Sequence, residues 1–131
     1  MDFYVWLPKL LWLIEVKDPE GTTHPGATAS VWAELKNDAL LKEHLLPKLF
    51  GAYAHFVFED ADLSGPVRYS VLIGLSGLTN ADRSMLTDKI NRIISKIGPK
   101  LRHGRYWPQP EVHNVQSWNV AYPHVQITRH P

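Results

Sequence analysis

Residues Val67 to Gly98 join a strand pattern to a helix pattern through a short turn, and that succession requires a fold in which a sheet carries a helix on one face. Val67, Tyr69, Val71, Ile73 and Leu75 alternate with Arg68, Ser70, Leu72 and Gly74, the period-two signature of a strand with one strongly apolar side. Gly77 interrupts the alternation. Thr79 stands three residues ahead of Asp82, so the hydroxyl can accept a first-turn N–H while the carboxylate reaches back, a reciprocal helix start. Leu86, Ile90, Ile93, Ile94, Ile97 and Leu101 follow at spacings of three and four, opposite Asp88, Lys89, Asn91, Arg92, Ser95 and Lys96; this predicts an amphipathic helix that ends at Gly98-Pro99.

The rest of the chain is read around that unit. With 131 residues, the sequence suits one α+β domain spanning 1–131, long enough to bury a core without disulfides or structural metal. A hydrophobic content of 44% with 21% charged residues is that of a soluble globule rather than a disordered chain. Cysteine is absent, which excludes disulfides, thiolate metal sites and a cysteine nucleophile, and favours a cytoplasmic setting. The apolar run Phe3 to Val16 is shorter than a membrane span and carries Pro8, Lys9 and Glu15; Asp2 has the wrong sign for the start of a signal peptide. Apolar residues on both faces predict either a central strand covered on each side or a strand with one face on helices and the other on a partner subunit; Pro8, which cannot donate to the ladder, marks a bulge, an edge or the meeting of two short strands.

Asp18 to Ala29, with two prolines, two glycines and three threonines, predicts a long loop, a candidate lid or contact arm. A helix should begin near Thr28 or Ser30 and carry Val31, Trp32, Leu35, Ala39, Leu46 and Phe50 on one side, with a break at Asn37-Asp38 and a stop around Pro47 and Gly51. Ala52 to Glu59 alternates again, Tyr53, His55 and Val57 against Ala54, Phe56 and Phe58, predicting a strand. The turn composition of Asp60 to Pro66 pairs it antiparallel with Val67 to Leu75. Val112 to Tyr122 predicts the last strand. Strand, helix, strand, strand, helix, strand is the ferredoxin-like order: an antiparallel sheet with both helices on one face.

Motifs for nucleotide or metal chemistry are missing. No phosphate loop, nucleophile elbow or calcium loop occurs, and the seven histidines are scattered rather than spaced as ligands; no cofactor and no metal are expected. A catalytic reading rests on His55 and Tyr53, which the predicted strand would place on one sheet face, able to bind and deprotonate a small phenol or enol. Charge is unevenly divided. Residues 1–88 carry seven basic and twelve acidic side chains, net −5, whereas residues 89–131 carry seven basic side chains and one acid, Glu111, net +6. The helix dipole accounts for Lys96 and Lys100. Arg102, Arg105, Tyr106 and Trp107 lie past the helix stop, where guanidinium beside aromatic rings suits an anionic partner, either an acidic protein surface or RNA.

The leading expectation is a non-catalytic protein-binding or assembly subunit that acts as a homo-oligomer, of the kind found in phage assembly or inhibition, residing in the cytoplasm, the host cytoplasm or a virion. Its partners would be further copies of itself and a protein with an acidic surface, with no membrane contact. A small cofactor-free enzyme using His55 and Tyr53 comes second, and an RNA-binding module using residues 89–105 third.

Overall fold

The computed structural model describes residues 1–59, 65–97 and 109–129. Among the described residues four strands form one sheet: β1 (Phe3–Leu7), β2 (Leu10–Lys17), β3 (Val67–Ile73) and β4 (Gln109–His113), in that spatial order. Helices α1 (Ala27–Lys36), α2 (Leu46–Phe58) and α3 (Asn80–Ile97) come from the crossovers between β2, β3 and β4, and α4 (Val115–Ala121) follows β4.

The pairing directions overturn the ferredoxin-like expectation. Only β1 and β2 are antiparallel, joined through the tight turn at Pro8-Lys9, while β2–β3 and β3–β4 are parallel. Parallel neighbours need a crossover between them. The first one contains α1, a helical segment from Leu40 to Leu45 and α2; α3 lies in the second. The stretch read as a strand at Ala52 to Glu59 is the end of α2; Leu45 just before the helix and Leu49, Tyr53 and Phe56 within it recur at intervals of three and four and are all buried. Pro47 does not end the helix. The preceding segment is wound as a π-helix, with the Leu46 N–H bonded to the Leu41 carbonyl five residues back, and Pro47 enters just after this wide turn. A regular α-turn would make it crowd a carbonyl and forfeit a bond. The predicted hairpin partner of β3 therefore does not exist, and residues 60–64 of its proposed turn lie outside the described residues.

Other local expectations hold. The N-terminal run divides at Pro8 into two strands. The helix after Ala27 breaks at Asp38, whose φ of 60° is a left-handed conformation, and its side chain accepts from Lys89 of α3 at 2.6 Å. Thr79 and Asp82 cap each other reciprocally at the start of α3, with the Thr79 N–H 3.0 Å from the carboxylate and the Asp82 N–H 3.1 Å from the hydroxyl. The final strand is shorter than predicted. β4 ends at His113, and Asn114 and Ser117 form a second reciprocal cap that starts α4, so Trp118 and Val120 fall on a helix, the first buried and the second exposed.

The sheet has two unlike sides. Leu11 and Leu13 of β2, with Val67, Tyr69, Val71 and Ile73 of β3, pack against Leu40, Leu41, Leu45, Leu49, Leu86, Ile90 and Ile94 to form the main core. The opposite side holds a smaller cluster, Trp12 and Leu72 under Trp118 of α4. In α3 the buried stripe is Leu86, Ile90 and Ile94; Ile93 is only partly covered, and the Ile97 side chain is outside the described set. Ile90→Ala should therefore cost about 2–5 kcal/mol as a cavity substitution, and Ile93→Ala distinctly less. Urea unfolding of the two variants checks the order, and an Ile90→Ala midpoint equal to the parent's would refute this assignment of the helix face.

Candidate functional site

Three features of the sheet could carry function: an exposed edge, a polar cluster on the second face, and a charged junction at the carboxyl ends of the parallel strands.

The edge is β1. All five of its residues are apolar and exposed, Phe3 at 59%, Tyr4 at 60%, Val5 at 38%, Trp6 at 49% and Leu7 at 43%. Its register opposite β2 sets Tyr4 and Trp6 beside Leu13 and Leu11 on the helix side, where both rings meet Phe56 of α2 edge-on at 5.3 and 5.6 Å. Phe3, Val5 and Leu7 lie on the second face opposite Ile14, Trp12 and Leu10. Such a run has a cost, because apolar surface left in water forgoes about 25 cal/mol per Å². Contiguous exposed patches of this kind mark interaction sites.

On the second face Glu111 of β4 stands directly opposite Ser70 of β3. The Ser70 hydroxyl and the Tyr122 hydroxyl both donate to its Oε1, and His113 Nε2 lies 3.5 Å from its Oε2. Ser70 in turn accepts from the Trp12 indole N–H at 2.7 Å. Trp12 stacks on Trp118 at 5.6 Å and leans on Tyr122 at 4.8 Å, and the Arg68 guanidinium sits 5.8 Å and 5.9 Å from the Trp12 and Tyr122 ring centres, within cation–π range. Burial pushes the Glu111 carboxyl upward, but the hydrogen bonds from His113, Ser70 and Tyr122, with the His113 charge, outweigh it and hold the group down to about 2. Burial and the bond to Glu111 push the Tyr122 phenol up to about 12. A carboxylate this acidic is a weak base and a phenol this basic is a weak acid near neutrality, and Ser70 is fully buried. The cluster is suited to joining β3, β4 and α4 rather than to moving protons.

At the carboxyl ends of β2 and β3, Arg129 reaches back over the sheet. It donates to Asp18 at 2.5 and 3.2 Å, to Glu20 at 3.2 Å and to the Gly74 carbonyl at 2.8 Å. Glu20 also accepts from the Ser76 N–H at 2.9 Å and hydroxyl at 3.0 Å. A Cβ at Gly74 would collide with both Asp18 and the Arg129 guanidinium, so this approach needs a glycine. In parallel sheets this end of the strands is the usual ligand crevice. Here a cleft of about 240 Å³ remains between Gly74, Ser76, Asn114, Gln116 and Arg129. The first part of the loop read as a candidate lid, at Asp18 and Glu20, is thus tied to the C-terminal segment.

The side chains singled out from sequence are placed differently. Tyr53 is buried in the main core and His55 is exposed, two residues apart on α2 and off the sheet. They form no shared sheet pocket. Lys96 is exposed in the last turn of α3; Lys100, Arg102, Arg105, Tyr106 and Trp107 lie outside the described residues. Among the described residues, no three His, Asp or Glu side chains gather where they could hold a metal ion, and no helix is long and apolar enough to cross a membrane. Sequence reasoning missed Glu111 as a partner of Ser70, although its isolation as the one acid of the second half was a signal. Of the two readings of the apolar run, a central strand covered on both sides does not fit β1, which lies at the edge and is exposed.

No protein-family model matches the chain, and comparison with curated proteins and with solved structures finds no match.

The depressed Glu111 value gives a test of the cluster. Its folded value of about 2 lies below the ordinary 4.5, so the ionised form stabilises the fold above pH about 4.5, and that contribution is lost as the pH falls toward 2. Glu111→Gln should lower stability at neutral pH and flatten the profile between those limits. Chemical denaturation at a series of pH values checks this, and profiles that superimpose would rule out the network as a source of stability.

Proposed function

We propose that this protein is a non-catalytic assembly subunit whose contact element is β1 and whose partner there is a second copy of the same chain. The observation that carries the reading is the edge strand Phe3–Leu7, apolar at every position and exposed at every position. The polar cluster around Glu111 gives no comparable support for catalysis, since Ser70 and Tyr122 both donate to its carboxylate and the carboxylate and phenol are shifted away from neutrality. Self-association is favoured over a foreign partner by the ends of the strand, where Asp2 precedes the apolar run and Lys9 follows it, both exposed, although Asp2 already accepts from the Val16 N–H and lies 3.7 Å from Lys48, so that Lys9 is the freer of the two charges. An antiparallel copy brings each charge toward its opposite.

Analytical ultracentrifugation tests the reading. The protein should sediment as a dimer or larger species at tens of micromolar, and Phe3→Asp combined with Leu7→Asp should return it to 15 kDa. Both replaced side chains are exposed, so the monomeric variant should keep its secondary structure by circular dichroism. A parent protein that sediments at 15 kDa even at high micromolar concentration would refute the proposal.

A further inference from the structure

We infer that two copies join edge to edge through antiparallel β1 strands, so that the four-stranded sheet continues across a twofold axis as eight strands; this rests on the self-association proposed above and specifies its geometry. The alternative for the same patch is face-to-face stacking of Phe3, Val5 and Leu7, which would leave the outer backbone of β1 without a strand partner among the described residues.

The two edges of the sheet differ in how they are guarded. Natural edge strands are protected by charge, proline, shortness or cover, because their free N–H and C=O groups pair readily with another strand. β4, at one edge, carries Pro110 and Glu111 within five residues. β1, at the other, carries neither a charge nor a proline between Phe3 and Leu7. Its apolar side chains also project on both faces, Tyr4 and Trp6 toward α2 and Phe3, Val5 and Leu7 away from it. Stacking through one face would cover only one of these sets. Pairing through the edge brings both sets against their counterparts, as cross-strand neighbours.

Direction follows from charge and symmetry. A parallel arrangement would set Asp2 beside Asp2 and Lys9 beside Lys9. The antiparallel one opposes unlike ends and closes on itself, so association stops at two copies. The area is adequate: three half-exposed aromatic residues, with Val5 and Leu7, offer on the order of 500 Å² per copy, so that two copies reach the roughly 1,000 Å² expected of a specific contact.

The absence of cysteine makes a single-cysteine scan unambiguous. Variants Phe3→Cys, Tyr4→Cys, Val5→Cys, Trp6→Cys and Leu7→Cys are made one at a time and oxidised mildly. Across a twofold axis near the strand centre, each step outward moves a residue about 7 Å from its own copy, and a disulfide fails once Cα atoms are more than about 7 Å apart. Cross-linked dimer should therefore peak sharply at one or two central positions and fall at least tenfold at Phe3→Cys and Leu7→Cys. Hydrogen exchange on the unmodified chain gives an independent readout: β1 amides should exchange at least tenfold more slowly in concentrated than in dilute samples. A dimer by sedimentation with a flat scan, or with β1 exchange independent of concentration, overturns the edge-to-edge geometry and leaves self-association standing. A monomer by sedimentation overturns both.

Discussion

The carboxylate of Glu15 sits in the middle of β2 with no solvent exposure, and the first half of the fold is arranged to keep it paired. Lys48 reaches down from α2 to within 2.5 Å of one oxygen, and the amino group of Met1 lies 3.7 Å from the other. Lys48 is also 3.7 Å from Asp2, whose other oxygen accepts the Val16 N–H at 2.8 Å. One ammonium thus connects β1, β2 and α2. A buried ion pair of this kind is weak evidence for stability, but losing one partner strands the other in an apolar core. That penalty fixes the height of α2 over the sheet, and with it the positions of Leu45, Leu49, Tyr53 and Phe56 in the core. Phe56 in turn supports the inner rings of β1. The exposed strand is therefore a supported surface with two of its rings held in place, as a contact element needs to be.

The parts that were legible in the sequence are those whose signals are local. β3 and α3 could be read because alternation, a reciprocal cap and an apolar stripe follow one another without conflict, and the same is true of the break at Asp38. Ala52 to Phe58 satisfies two periods at once, and the deciding residues, Leu45 and Leu49, lie upstream on either side of a proline that resembles a stop. The π-turn that admits Pro47 has no sequence signature of its own. Strand direction was lost with that one element, because a β2–β3 connection ending in a helix allows a parallel pair while one ending in a strand suggests a hairpin. At the candidate site, apolar character in β1 was plain, but the choice between a covered central strand and one left open to a partner was not: it depends on what covers the strand, and nothing within Phe3–Leu7 encodes that. Ser70 and Glu111 are 41 residues apart, so their pairing is a product of register.

The second face and the carboxyl-end junction solve a different problem from the edge. α4 is seven residues long, too short to be stable alone. It is held by the stacked Trp118, by its cap at Asn114 and by bonds running from Trp118 and Asn119 to the carbonyls of Val125 and Ile127. Arg129 then anchors the segment that follows to Asp18 and Gly74. This covers the sheet on the β3–β4 side and stops short of β1, so the second face is closed at one edge and open at the other.

The mixed pairing directions also bear on how the chain reaches this state. β1 and β2 are joined by a two-residue turn and can meet within microseconds, whereas Trp12 must find Ser70 across 58 residues and Ser70 must find Glu111 across 41. Loop closure of that length comes before any reward from the contact, which makes parallel sheets slow to form. The hairpin can therefore form, if only transiently, before its neighbours arrive, and while it lasts both faces of β2 and all of β1 are in water. During that interval two nascent hairpins can meet through the same surface that is proposed to join two finished subunits, and the strand that would serve assembly then invites aggregation instead, depending on concentration and on how quickly β3 arrives.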